Sequence, residues 1–91
     1  MELELTALIW DEFNITHITK HGVSVEEVEA ASLSYIYIDA TYGSRYLLVG
    51  RTKPGRLISV VLTLIDNHYY IITARDSSRG ERKKVYDIEN Q

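Results

Sequence analysis

"RYLLVGRTKPGRLISVVLTLIDNHYYIITARD" (Arg45–Asp76) decides the fold. It holds three apolar runs, 45–52, 56–65 and 69–76, rich in Tyr, Ile, Val and Leu and cut by "KPG" and "DNH". Such residues suit a pleated, half-buried surface. Breaks this short leave no room for a crossover, so each run turns back and pairs antiparallel with the one before. In the middle run Ile58, Val60, Leu62 and Leu64 share one face, and Ser59, Val61 and Thr63 share the other, because side chains alternate along a strand. The first set is expected to pack on helices. By the same parity Arg75 goes with Tyr69, Ile71 and Thr73.

Upstream, "LSYIYIDA" (33–40) supplies a fourth strand, joined through "TYGS". Before it, "VSVEEV" (23–28) starts a helix. Ser24 caps it, Glu27 completes a capping box, and Val23 can pack on Val28 as a hydrophobic staple. That helix is expected over 25–32. "DEFNITHITKHG" (11–22) is a weaker helix, with Asp11 as its cap and Gly22 as a left-handed stop. Its Ile and Thr content lowers helix propensity, so packing must hold it. "LELTALIW" (3–10) is a candidate for a short strand. Downstream, Ser78 and Glu81 form a second capping box and open a helix over 79–89. Its apolar content is thin, so it should lie over one edge of the sheet. The expected architecture is α+β: two N-terminal helices packed on a four-stranded antiparallel sheet, with a short C-terminal helix and the helices on one face.

Ninety-one residues suit one domain, 1–91, with a modest core. A chain of this size buries only roughly 60% of its unfolded surface. No apolar run reaches about 18 residues, so no membrane span is expected. "MELELTALIW" carries acids where a secretory signal needs positive charge, so no signal peptide is read. The absence of cysteine excludes disulfides and thiolate chemistry and fits a cytoplasmic protein. The net charge of −3 is unevenly spread: residues 1–33 carry seven acids against Lys20 alone, whereas residues 34–86 carry nine bases against four acids. Such asymmetry fits a basic binding surface with an acidic flank.

The densest basic stretch is "ARDSSRGERKKVY" (74–86). Arg75 and Arg51 end strands and are expected at a sheet margin where the last helix begins, and Arg79, Arg82 and Tyr86 share one side of that helix. A helix N-terminus offers free N–H groups and partial positive charge. Arg75, Arg79 and that N-terminus could bind a phosphate, for which the guanidinium fork is suited. Glu81 could then accept a proton, and Tyr86 could stack a base. A plain structural reading stands beside this one: Glu81 closes a capping box, Arg82 packs on Tyr86, and Lys83 and Lys84 are solvated. His17 and His21 share a helix face, but zinc needs three or four ligands and no third is evident, with His68 in a turn. No metal and no cofactor are expected. No phosphate-binding or dinucleotide glycine motif occurs, and no motif supports a Ser-His-Asp site. Tyr35, Tyr37, Tyr42, Tyr46, Tyr69 and Tyr70 read mainly as half-buried sheet residues, with a stacking or partner surface as the alternative.

The order "IWDEFN" (9–14), "KHGVSVEE" (20–27), "RYLLVGRTKPGRLISVV" (45–61) and "YIITARDSSRGERKKVY" (70–86) resembles the BrnT-type toxin family, the toxin halves of bacterial type II toxin–antitoxin pairs. The resemblance spans residues 9–86. It implies a RelE-like fold and a metal-independent endoribonuclease that inhibits translation, acting on mRNA free or on the ribosome. It further implies a cognate antitoxin, DNA contact only through the antitoxin complex, which represses the shared promoter, and a homodimer as one option within that complex. The matching positions are Lys20, Arg51, Arg75, Glu81 and Arg82. Arg51 and Arg75 would take phosphate charge, Lys20 would join them or act as an acid, and Glu81 would be the base. Arg79, Arg82, Tyr86 and His21 would bind substrate. Members of the family are typically basic, whereas this chain has an acidic N-terminal third. Two further readings therefore stay open: a module of little activity that chiefly binds its antitoxin, and a nucleic-acid-binding domain without catalysis.

Overall fold

Asp66 and Asn67 both take left-handed backbone, with φ of 48° and 64°. Two successive positive φ values make a tight hairpin whose twist matches its flanking strands. That hairpin sits at the centre of a five-stranded mixed sheet. The computed structural model describes residues 4–91. In chain order these form a 3-10 turn (Leu5–Ala7), β1 (Leu8–Ile9), α1 (Glu12–Lys20), α2 (Val25–Leu33), β2 (Tyr35–Ala40), β3 (Arg45–Arg51), β4 (Leu57–Ile65), β5 (His68–Asp76) and α3 (Arg79–Glu89). The fold is α+β with three helices.

The strand order is β1-β5-β4-β3-β2. β2 to β5 form the expected antiparallel meander. The expectation of four antiparallel strands is corrected by β1, which adds a fifth, parallel strand through Leu8↔Tyr69 and Ile9↔Tyr70. Of the strand expected over 3–10, only Leu8–Ile9 forms; Leu5–Ala7 is a 3-10 turn, and Leu3 lies outside the described residues. Two residues are too few to show a period of two.

The helices divide between the faces, which corrects their expected placement on one. α1 and α2 bring Ile18, Val23, Val28 and Ala31 onto Leu48, Ile58, Val60, Leu62, Ile71 and Ala74. α3 covers the other face, where Val85 meets Tyr37, Val49 and Leu57. Both parity sets of β3 and β4 are apolar at this end, so both faces need cover. Val23 and Val28 are buried together, as a staple requires.

A bulge redirects β5. Val61 pairs with Thr73 but Leu62 pairs with Ile71, so Ile72 is the extra residue. Ile71 and Ala74, three apart, therefore enter the same core. Arg75 pairs with Ser59 and shares its face with Thr73, and strict alternation with Ile71 fails. Bulges commonly re-aim side chains in this way. Here the consequence is that Arg75 points to the α3 side.

Each helix starts with a capping box: Asp11 with Asn14, Ser24 with Glu27, and Ser78 with Glu81. Tyr70 Oη donates to Asp11 Oδ2 at 3.0 Å, tying the first cap to β5. Arg56 clamps three elements, donating to Gly22 O at 2.9 Å, Glu27 Oε2 at 3.0 Å and Asp76 Oδ1 at 2.7 Å.

Gly50 lets α2 approach β3. A Cβ added there would lie 2.4 Å from Ala31 O and 3.0 Å from Ala31 C. Backbone cannot yield as a flexible side chain does, so overpacking of ~2 kcal/mol is expected. Gly50→Ala should lower Tm by about 10 °C, read by thermal circular dichroism. Gly80→Ala, where no atom lies within 4 Å of the added Cβ, should leave Tm unchanged or raise it, since alanine is the better helix former.

Candidate functional site

β5 delivers Arg75 to the N-terminus of α3, and there the guanidinium meets Glu81 in a two-pronged ion pair. Arg75 Nη1 donates to Glu81 Oε1 at 2.8 Å and Nη2 to Oε2 at 3.0 Å. Ser78 N donates to Oε1 at 2.7 Å and Ser59 Oγ to Oε1 at 2.7 Å. Ser59 Oγ also lies 2.8 Å from Ser77 Oγ. The carboxylate thus joins β4, β5 and α3. Glu81 is mostly covered, at 14% side-chain exposure, while Arg75 keeps 40%. The Arg75 guanidinium, with the Ser78 amide and the Ser59 hydroxyl, holds the Glu81 carboxyl down to about 2, against partial burial that pushes the other way. Glu81 is therefore an anion throughout the physiological range. Such a tightly stabilised carboxylate is a weak proton acceptor while the guanidinium stays in place.

Tyr37 lies in the same layer. Burial, then the negative charges of Glu81 and Asp39, raises its phenol and keeps it protonated. Lys84 Nζ sits 4.4 Å above the Tyr37 ring centre and 2.6 Å from Asp39 Oδ2. Lys84 is exposed, as expected of a solvated lysine, but it is also paired and lies over a ring. Lys83 pairs with Asp87 at 3.0 Å on the exposed face of α3.

The other expected site residues are spread more widely. Arg82 Nε donates to Ser77 O at 3.2 Å, which keeps Arg82 beside the cluster. Arg79 and Tyr86 are exposed on α3, Tyr86 at 66%. Arg51 is not beside Arg75: it pairs with Glu89 Oε1 at 2.6 Å, at the opposite end of α3. Eight residues separate Glu81 from Glu89, or about 12 Å of helix. Lys20 and His21 end α1, on the other face of the sheet. Lys20 lines a shallow hollow with Glu12, Phe13, Thr16 and His17. The His21 and His17 rings stand 5.1 Å apart, tilted by 60°. No hydrogen bond or ion pair between described residues joins Lys20 or His21 to the Glu81 cluster.

Ser59, Ser77 and Tyr37 are cluster residues that sequence reasoning did not single out. A signal existed for Ser59, a small polar residue in the apolar run "LISVVL", but it becomes informative only once the register sets it opposite Arg75. Among the described residues no three His, Asp or Glu side chains are grouped to hold a metal ion, and no helix is long and apolar enough to cross a membrane.

A family profile described as the ribonuclease toxin BrnT of type II toxin–antitoxin systems matches residues 10–81. No curated protein matches the chain. Among solved structures, the crystal structure of the Brucella abortus ribonuclease toxin BrnT is similar, with a TM-score of 0.63 at 26% identity. The similarity covers 79% of this chain and 96% of that one.

The lowered acidity range of Glu81 sets a pH dependence. An ionised group whose folded value lies below its ordinary 4.5 stabilises the fold above that value, and the contribution is lost as pH falls toward about 2. The unfolding free energy from urea titration should therefore drop across this window. Glu81→Gln should lower stability at pH 7 by ~1–3 kcal/mol, since the buried serine and guanidinium donors lose their charged acceptor. Its acid slope should be shallower, leaving the contributions of Asp11 and Asp76, whose carboxyls are lowered by the Asn14 amide and by Arg56. An acid slope equal to that of the unaltered chain would show that the clamp contributes nothing.

Proposed function

This chain belongs to the BrnT family of ribonuclease toxins of type II toxin–antitoxin systems, and on that premise we propose that it is a metal-independent endoribonuclease that arrests translation, with its reaction centred on Arg75 and Glu81. The observation that carries this reading is the guanidinium–carboxylate fork at the start of α3, with Arg82 beside it. Arg75 already grips a planar pair of oxygens, and the non-bridging oxygens of a phosphodiester offer the same geometry and charge.

In the proposed reaction the 2′-oxygen of a ribose attacks the neighbouring phosphorus. Its proton passes to Glu81, the bond from phosphorus to the 5′-oxygen breaks, and that oxygen leaves with a proton from solvent, since Lys20 lies on the other face of the sheet. The products are a 2′,3′-cyclic phosphate and a 5′-hydroxyl. Guanidinium groups stabilise the charge that gathers on the phosphate. The resting ion pair explains how Glu81 can serve as base despite its low acidity range. When Arg75 swings toward the phosphate, the carboxylate loses its strongest stabiliser and becomes more basic beside the hydroxyl it must deprotonate. Arg79, Arg82 and Tyr86 then line the exposed side of α3 as the RNA track, with Arg51, from the end of β3, beside the far end of that helix. Lys20 and His21 belong to its far end, reached by the RNA around the sheet margin.

The remaining parts of the reading follow from the family. The domain spans the chain, works in the cytoplasm, has a RelE-like fold, and is neutralised by a cognate antitoxin. DNA is met only through the antitoxin complex, in which the toxin can pair with a second copy. One observation favours the second reading, a weak or inactive module that mainly holds its antitoxin. Of ten basic residues, Arg51, Arg56, Arg75, Lys83 and Lys84 are already ion-paired within the chain. Fewer free cations mean weaker neutralisation of RNA phosphates.

Expression of the chain alone should arrest growth, and co-expression of the adjacent antitoxin reading frame should relieve the arrest. Arg75→Ala and Glu81→Ala should abolish it while remaining folded by circular dichroism. In vitro, Glu81→Gln should slow cleavage of single-stranded RNA by ~10²-fold or more. Undiminished toxicity of both folded alanine variants would sink the assignment. No arrest by the unaltered chain, together with tight antitoxin binding, would establish the second reading.

A further inference from the structure

The two oxygens of Glu81 are unequally occupied. Oε1 accepts three hydrogen bonds, from Arg75 Nη1, Ser78 N and Ser59 Oγ, whereas Oε2 accepts one, from Arg75 Nη2. A carboxylate offers about four lone-pair sites in all, two to each oxygen. Oε1 is therefore saturated, and Oε2 has a site to spare. Once Arg75 turns to a phosphate, Oε2 is bare, while Oε1 keeps the Ser78 amide and the Ser59 hydroxyl.

The direction of the hydroxyl chain is fixed by proton count. The carboxylate can only accept, so Ser59 gives its single proton to Glu81. The 2.8 Å contact between Ser59 Oγ and Ser77 Oγ must then be a donation from Ser77 to Ser59. Both serines are buried, Ser59 at 0% and Ser77 at 6% exposure, so solvent does not replace these bonds. Ser59 comes from β4, within the most extensively paired part of the sheet. It anchors the carboxylate to a rigid strand, independently of α3.

We propose that Ser59 and Ser77 are positioning residues of RNA cleavage, a relay that pins Oε1 of Glu81 and presents Oε2 to the proton of the attacking 2′-hydroxyl. The relay deepens the function proposed above and rests on Glu81 as the base. Its effect is orientational: without it the Ser78 amide alone holds Oε1, and the carboxylate is freer to turn about its last side-chain torsion away from the productive pose. Preorganised geometry of this kind contributes to the chemical step and leaves substrate binding alone.

The test measures cleavage of a fluorescently labelled single-stranded RNA by purified Ser59→Ala, Ser59→Cys, Ser59→Thr and Ser77→Ala chains. Ser59→Cys keeps the volume but replaces the strong donor with a weak one; Ser59→Thr keeps the hydroxyl. The alanine and cysteine variants should lose about ten-fold in kcat, the rate equivalent of one such hydrogen bond, with KM within about two-fold of the original. Ser59→Thr should retain most of the rate. The acidic limb of the kcat/KM profile should move to higher pH in Ser59→Cys, because the carboxylate has lost a donor to its charged form. Wild-type kcat in Ser59→Ala and Ser59→Cys, or a Ser59→Thr rate as low as that of alanine, would overturn the relay. Glu81→Gln and Arg75→Lys serve as references: if both cleave as well as the unaltered chain, the reading of the site itself falls. If they are impaired while the serine variants are not, only the relay falls.

Discussion

One carboxylate ties the C-terminal half of this chain together. Glu81 closes the cap of α3, receives Arg75 from β5 and receives Ser59 from β4. The cap alone is worth ~1 kcal/mol, and a charge-assisted fork adds to it. A helix with as thin an apolar stripe as α3, with Val85 as its one buried residue, cannot hold its place by burial alone. The ion pair and the Lys84 contacts with Asp39 and Tyr37 fix it across the second face. The structural and chemical readings of Glu81 are therefore not rivals. The atoms that satisfy the helix N-terminus are the atoms that hold an anion beside a guanidinium.

The bulge at Ile72 makes this meeting possible. With strict alternation from Ile71 onward, Arg75 would turn to the face covered by α1 and α2, among the apolar residues of the larger core. The extra residue shifts the phase by one. Ala74, with no polar group, then enters the core, and Arg75 emerges where α3 begins. Charge burial is avoided, and a cation is delivered to the helix terminus that needs an anion beside it. Leu64 keeps the face of Leu62, as alternation along β4 puts it, but lies one residue from the strand's end and is exposed.

Local signals were readable from the chain, and non-local ones were not. The boxes at Ser24 and Ser78 and the cap at Asp11 each lie within four residues, and all three form. The four long runs became strands with ends shifted by at most two residues, since β-branched and aromatic content and short turns report on pairing directly. β1 was unreadable as a parallel strand because two residues carry no period. The bulge was unreadable because an inserted residue leaves the composition of β5 unchanged. The site was half legible: Arg75, Glu81 and Arg82 cluster as expected, being close in sequence. Arg51 was misplaced because both arginines end strands, and strand-end position does not say which end of α3 lies above. Ser59 needed the β4–β5 register before its hydroxyl could be matched with Glu81.

The resting site is close to electrically balanced, and under the proposed function that constrains how it would take up RNA. Arg75 faces Glu81, Arg51 faces Glu89 and Lys84 faces Asp39, so these three cations are each already answered. A phosphate arriving there does not meet an open positive pocket; it competes with a carboxylate for the same guanidinium. The exchange would cost the resting pair and return a phosphate pair of similar geometry, so net affinity would come mainly from cations outside these ion pairs, such as Arg79. On the proposed mechanism, binding would then be weak in the ground state, while the displaced carboxylate would be left more basic next to the scissile linkage. An internal anion that must be displaced before reaction thus trades affinity for activation, which is the favourable direction for a catalyst.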